Sequence, residues 1–100
     1  MSGSFPMTAA DVAAATGGRL LRGAAWRPLP VVSTDSRRLP PGALFIALRG
    51  PNFDGHAFVP AALEAGAAGV VVSDVSAVPA RGEDLVVIVV DDTLRALQDL

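Results

Sequence analysis

The 100-residue sequence has no cysteine, no lysine and no tyrosine, and only one histidine and one tryptophan. Without cysteine the chain can form neither disulfides nor thiolate metal sites. A lone histidine, His56, leaves little from which to build a zinc site, and no metal ligand is expected. All eight basic residues are arginines, scattered except for Arg37-Arg38, and the net charge is −2. That distribution argues against a nucleic-acid-binding or membrane-surface patch. The opening M-S-G-S-F-P-M-T lacks the basic and apolar regions of a secretion signal, and no run approaches the ~20 apolar residues of a membrane helix. A cytoplasmic location is therefore expected. Also missing are the phosphate loop G-x-x-x-x-G-K-[ST] and the dinucleotide fingerprint G-x-G-x-x-G. No Ser/His/Asp or Cys/His set emerges, so no catalytic residue is expected within the chain.

What is present is a chain that is 51% hydrophobic, much of it alanine and valine. This suffices for one small domain with a core of small side chains. Residues 1–7 are expected to be a flexible leader. Thr8 to Thr16 reads as a helix opened by the capping pair Thr8 and Asp11, with Met7 and Val12 at the staple positions, and closed by Gly17-Gly18. Arg19–Leu21 is expected to be extended, and Gly23–Pro30 a loop partly anchored by Trp26. Val31–Ser36 reads as a strand with a polar end. Pro40-Pro41-Gly42 suits a type II turn. Ala43–Leu48 is apolar throughout, as a strand covered on both faces is. Ala57–Ala65 reads as a helix with Pro60 in its first turn and Phe58, Val59, Ala62, Leu63 and Gly66 on one face. Gly69–Ser73 and Leu85–Val90 are β-branched strands separated by a loop over 74–84. Asp91 or Asp92 then caps a last helix carrying Leu94, Leu97 and Leu100. The order implies an α/β fold: a small three-layer arrangement, its strands mainly parallel and flanked by helices.

Two polar segments follow strand ends, where open α/β sheets bind ligands. The first is Thr34-Asp35-Ser36-Arg37. Its hydroxyls and free N–H groups suit phosphate or uracil oxygens, and the guanidinium adds charge. Alternatively, and more simply, Asp35 and Ser36 can form an Asx or hydroxyl turn that closes the strand. The second is Asn52-Phe53-Asp54-Gly55-His56. Phe53 can offer a face to a flat ring, Asn52 an amide to a base edge, and Gly55 close backbone approach. Equally, Asp54 can open the next helix while Phe53 tucks into the core. His56 admits both a structural hydrogen bond and a ligand contact. By themselves these residues describe a small α/β binding module.

One further pattern is recognisable. T-D-S-R-R-L-P-P-G-A-L-F-I-A-L-R-G-P-N-F-D-G-H-A-F-V, followed by A-L-E-A-G-A-A-G-V-V-V, resembles the N-terminal domain of the Mur ligases, the ATP-dependent amide ligases of bacterial peptidoglycan synthesis. The family pattern falls on Asp35-Ser36-Arg37, Pro41 to Leu48, Gly50 to Gly55 and Ala62 to Ala67, and the likeness covers about residues 8 to 100. Asn52-x-Asp54-Gly55-His56-x-Phe58 and the closing D-D-T-L-R-A-L-Q-D-L are most similar to the branch that adds D-alanyl-D-alanine to UDP-N-acetylmuramoyl-tripeptide. The branch that adds the third amino acid, diaminopimelate or lysine, comes next. The chain departs from the pattern at Ala43, where an acidic residue is common, and at Pro51, which has no N–H to offer a ligand.

The resemblance implies that this domain grips the UDP end of a UDP-N-acetylmuramoyl-peptide. Thr34 and Ser36 fall where the family contacts the nucleotide, and Asn52 and Phe53 on the uracil side. Asp54, Gly55 and His56 shape that loop. It further implies that ATP, Mg2+ and a carbamylated lysine belong to a central domain, and D-Ala-D-Ala to a C-terminal one, outside these residues. Residues 8–91 are then the substrate-binding domain, and 92–100 begin a linker helix to the central domain, so that the chain is a piece of a longer protein and inactive alone. An α/β module that uses the same rim for protein contacts, without catalysis, is the alternative of another class.

Overall fold

The computed structural model describes residues 7–79 and 85–100. In chain order the elements are β1 (Met7–Thr8), α1 (Ala9–Thr16), β2 (Arg19–Arg22), β3 (Pro28–Leu29), β4 (Val32–Ser33), a 3-10 turn at Ser36–Arg38 and β5 (Leu44–Ile46). There follow β6 (Arg49–Gly50), β7 (Phe53–Asp54), a 3-10 turn at Gly55–Phe58 running into α2 (Val59–Glu64), and β8 (Gly69–Val72). A 3-10 turn at Val75–Ala77, β9 (Val86–Val89) and α3 (Thr93–Asp99) complete the order.

The central sheet has the order β2-β9-β8-β5-β4. β4, β5, β8 and β9 run parallel to one another, and β2 joins β9 antiparallel. Alternate residues of the apolar strands feed two cores. Leu44, Ile46, Val71, Val86 and Ile88 meet Ala9, Val12 and Ala96 of α1 and α3. Phe45, Ala47, Val70, Val72 and Val87 meet Val59 and Ala62 of α2. This is the expected three-layer α/β fold, and it explains why β5, β8 and β9 lack polar residues: both faces are covered.

Local chemistry sets the element ends. The Thr8 hydroxyl accepts from Asp11 N–H at 3.2 Å while Asp11 accepts from Thr8 N–H at 3.0 Å, the reciprocal cap read from the sequence. Asp92, not Asp91, caps α3 by accepting from the N–H groups of Leu94 and Arg95. The type II turn forms as expected: Ala43 N–H donates to Pro40 O at 3.1 Å and Gly42 has φ 85°.

Several expectations are corrected. The polar-ended strand is confined to Val32–Ser33. The Ser33 hydroxyl accepts from Asp35 N–H, and the Asp35 carboxylate from Arg37 N–H, which bends the backbone into a 3-10 turn. The loop after β2 contains β3, which pairs with β1. Trp26 is 74% exposed and is no anchor. Backbone bonds hold that loop instead, from Ala9 and Ala10 N–H to Arg27 and Ala25 O at 2.9 Å. The helix expected over Ala57–Ala65 is split into the 3-10 turn and α2, leaving Phe58 at the cap and 46% exposed. In α3 the buried residues are Thr93 and Ala96, while Leu94 is exposed, because the Asp92 cap sets the helical phase. Met7, expected in the leader, pairs with Leu29. α3, expected as the start of a linker helix, also contributes Ala96 to this domain's core. The expected leader over 1–6 and the loop positions 80–84 lie outside the described residues.

Candidate functional site

Parallel strands end on one rim of a sheet, and here β4 and β5 are neighbours, with β8 next to β5. Each hands a polar segment to that rim: Thr34 to Arg38 after β4, the β6–β7 hairpin and its 3-10 turn after β5, and Ser73-Asp74 after β8. α2 packs against both 3-10 turns that carry candidate residues.

In the first segment the two readings divide by residue. Asp35 is structural. Its carboxylate accepts from Arg37 N–H at 2.9 Å and from Arg37 Nε at 3.3 Å. The backbone bond first, and the side-chain bond second, hold its pKa below the usual aspartate value. Arg37 remains 88% exposed at its side chain, so the pair leaves most of the guanidinium in solvent. Thr34 and Ser36 differ: among the described residues their hydroxyls have no protein hydrogen-bond partner. They are the side-chain groups of this segment that the fold itself does not use.

The second segment is a hairpin. Gly50 pairs with Phe53 and Arg49 with Asp54, so Pro51 and Asn52 form its corner. Among the described residues no non-glycine residue has positive φ, so the turn is not of the primed type; a proline at the first corner position suits it. Pro51, which lacks an amide for a ligand, thus has a structural role. Asn52 is exposed and has no protein partner among the described residues. Phe53 is 52% exposed, not tucked into the core, and stacks on Phe58 with centroids 6.3 Å apart and planes 23° from parallel.

Behind that exposed corner lies a chain of bonds. Asp54 Oδ2 receives Arg49 Nε at 3.2 Å and Nη2 at 3.1 Å. Asp54 Oδ1 receives the His56 N–H at 3.0 Å and lies 2.7 Å from His56 Nδ1. His56, only 6% exposed, accepts the Ser73 N–H at Nε2, 3.0 Å away. Because a backbone N–H can only donate, Nε2 carries the lone pair and Nδ1 the proton. Gly55 N–H donates to Leu48 O, and a Cβ there would lie 3.0 Å from both Leu48 N and O. Thr93 in α3 accepts the Arg49 N–H at 3.1 Å and ties the base of the hairpin to that helix.

The bonds from His56 and Arg49 bring the Asp54 pKa down to about 2, the His56 backbone N–H contributing most. A carboxylate depressed in the folded state adds stability that is present above its ordinary pKa of 3.8 and lost as pH falls towards about 2. Thermal melts of wild type and Asp54→Asn should therefore differ most at pH 5 and converge by pH 2. A gap that widens on acidification would contradict this.

Of the residues expected from sequence, the structure joins Asp54, Gly55 and His56 into one support, pairs Asp35 with Arg37, and leaves Thr34, Ser36, Asn52 and Phe53 with exposed or partnerless groups. Among the described residues no hydrogen bond joins the Thr34–Arg37 segment to the Asn52–His56 segment. Sequence reasoning missed Ser73, the Arg49–Asp54 pairing and exposed Phe58. Ser73 was detectable as the polar residue directly after a buried strand. A groove of about 450 Å³ lies elsewhere, between α1 and α3, lined in part by Thr16, Asp91, Asp92 and Arg95. None of the expected site residues lines it.

The chain is similar to known proteins in sequence and in fold. A model described as "Mur ligase family, catalytic domain" matches residues 29–100. The chain is 52% identical over 69 residues to the UDP-N-acetylmuramoyl-tripeptide--D-alanyl-D-alanine ligase of Bacillus subtilis, which covers 69% of the chain and 15% of that protein. It is 45% identical over 69 residues to the UDP-N-acetylmuramoyl-L-alanyl-D-glutamate--2,6-diaminopimelate ligase of Chlorobaculum tepidum, covering 69% and 13%. In three dimensions it is similar to MurF from Acinetobacter baumannii, with a TM-score of 0.78, 32% identity and coverage of 94% of this chain and 20% of that one. The chain thus spans between 13% and 20% of the length of these relatives. With the model matching from β3 through α3, and the fold matching over nearly the whole chain, this protein belongs to the Mur ligase family.

Proposed function

We propose that this domain seats the UDP end of a UDP-N-acetylmuramoyl-peptide, and that its parent is the ATP-dependent ligase that adds D-alanyl-D-alanine to the tripeptide form. The observation that supports the seat is the division of labour on the rim. Asp35, Asp54, Gly55 and His56 are consumed in holding the backbone, while Thr34, Ser36, Asn52 and Phe53 keep groups available to a ligand. Arg37 adds an exposed cation beside Ser36. A ligand held here by its nucleotide would have its distant peptide carboxylate positioned for reaction elsewhere, the kind of remote binding that lowers a barrier by orientation.

ATP and Mg2+ do not fit these residues. The sequence has no lysine and no phosphate loop, and no cluster of three or more His, Asp or Glu among the described residues could hold a metal ion. They are assigned to a further domain of the same longer protein, with residues 8–91 as the substrate unit and 92–100 leading onward. A cytoplasmic location belongs to the same proposal; no helix among the described residues is long and apolar enough to cross a membrane. The diaminopimelate-adding branch is the second reading, favoured by the Chlorobaculum relative.

Titration of the chain with UDP, followed by amide NMR, tests the seat. Shifts should centre on Ser36 and Phe53. Phe53→Ala should weaken binding by about 1–3 kcal/mol, the worth of one base–aromatic stack. Ser36→Ala should weaken it by about 0.5–1.5 kcal/mol, one neutral hydrogen bond, and leave stability within about 0.5 kcal/mol. Absence of shifts at millimolar UDP would instead favour an α/β module that binds protein.

A further inference from the structure

His56 is buried, titratable and not assigned to the ligand, yet it joins two parts of the rim that are 17 residues apart in sequence. We infer that His56 is a positioning residue whose neutral, Nδ1-protonated ring locks the Asn52–Phe53 corner to the end of β8, and that proton uptake at Nε2 releases it. The inference rests on the proposed nucleotide seat for its consequence, though not for its structural part.

The geometry carries the argument. The ring donates from Nδ1 to Asp54, which follows Phe53 directly, and accepts from Ser73 N–H at Nε2. A second proton on the ring would set Nε2–H against that N–H, donor against donor. The Ser73 hydroxyl, 3.4 Å from Nε2, is then an acceptor in reach, and a closer bond to it would come at the expense of the amide contact. The charged groups around the imidazole come from three elements. Asp54 of β7 touches Nδ1, Arg49 of β6 sits on the far oxygen of Asp54, and Asp74 follows β8 close enough to feel the imidazole's charge. α2, which continues the turn carrying His56, has no charged residue before Glu64. Asp54 follows Phe53 directly, so a turn of the ring that shifts Asp54 bears on Phe53, which is held otherwise by its pairing with Gly50 and its stack on Phe58.

The test uses the chain itself. In ligand-free wild type at pH 8, the ring nitrogen shifts of His56 should report protonated Nδ1 and bare Nε2. On lowering the pH across the range in which imidazoles titrate, about 8 to 5, the amides of Asn52, Phe53 and Ser73 should shift with the same midpoint as the ring. His56→Gln, whose carbonyl can accept from Ser73, should keep the corner ordered and abolish this linked transition. A protonated Nε2 at pH 8, or corner amides that ignore the ring's titration, would overturn the inference. UDP affinity provides the functional arm. It should fall roughly tenfold more between pH 8 and 5 in wild type than in His56→Gln, one hydrogen bond's worth; UDP's own phosphate titration is common to both proteins. Equal losses in the two would overturn the link to binding. Correct ring and amide behaviour without any UDP binding would sink the nucleotide seat while leaving the lock standing.

Discussion

Phe45→Ala is expected to lower the unfolding free energy by about 3–5 kcal/mol, a large share of the roughly 5–15 kcal/mol that holds a domain together. Phe45 is 1% exposed in the middle of β5. Its ring belongs to the core layer between the sheet and α2, which is built mostly of alanine and valine, among them Ala43, Ala47, Val59, Ala62, Val70 and Val72, with Leu39 and Leu85 its longer members. Alanine and valine have little length with which to collapse into the space left behind, so the cavity persists and its cost adds to the lost transfer energy. Phe53→Ala, eight positions on, removes the same atoms from a half-exposed site and should change stability by less than about 1 kcal/mol while weakening UDP binding. Urea unfolding of the two variants separates the cases. A Phe45→Ala midpoint close to wild type, at unchanged slope, would show that the α2 layer does not depend on the ring.

Gly55→Ala should be the most damaging single-methyl change on the rim, costing about 1–3 kcal/mol. The added carbon would lie 3.0 Å from both Leu48 N and Leu48 O, and these are backbone atoms that cannot rotate aside. Relief requires the hairpin to move off β5, which breaks the Gly55 N–H bond to Leu48 O and displaces Asp54 and His56 on either side. Gly50→Ala is the matched control. Nothing lies within 4 Å of its would-be Cβ and its φ is ordinary, so it should stay within about 0.5 kcal/mol of wild type. Equal effects from the two substitutions would show that close approach at Leu48 is not what position 55 requires.

These cases also show what was legible in the sequence. β5, β8 and β9 were readable because unbroken apolar runs have one good use in a domain this size, a strand covered on both faces. The Thr8–Asp11 cap and the Pro-Pro-Gly turn were readable because their chemistry is local. The strand before Thr34 was overextended, since the choice between continuing β4 and turning depended on whether Ser33 and Asp35 bonded to their own backbone. In the last helix the sequence shows only the apolar positions Leu94, Leu97 and Leu100; Thr93, buried and bonded to Arg49 N–H, gives no hydrophobic signal. At the candidate site, the residue types point to the rim, but which side chains bond to the backbone and which are left unpaired cannot be read from composition. Asp35 and Ser36 are adjacent, and only geometry separates the one that is occupied from the one that is not. The bond from His56 to Ser73 spans a helix and a strand, a separation that no local pattern encodes.

The valine content of β8 and β9 has an entropic consequence. Val70, Val71, Val72, Val86, Val87, Ile88 and Val89 are β-branched, with few side-chain rotations to surrender on folding. The side chains in the middle of the sheet are therefore ordered at low entropic cost, and the longer, more freely rotating ones are left to its margins.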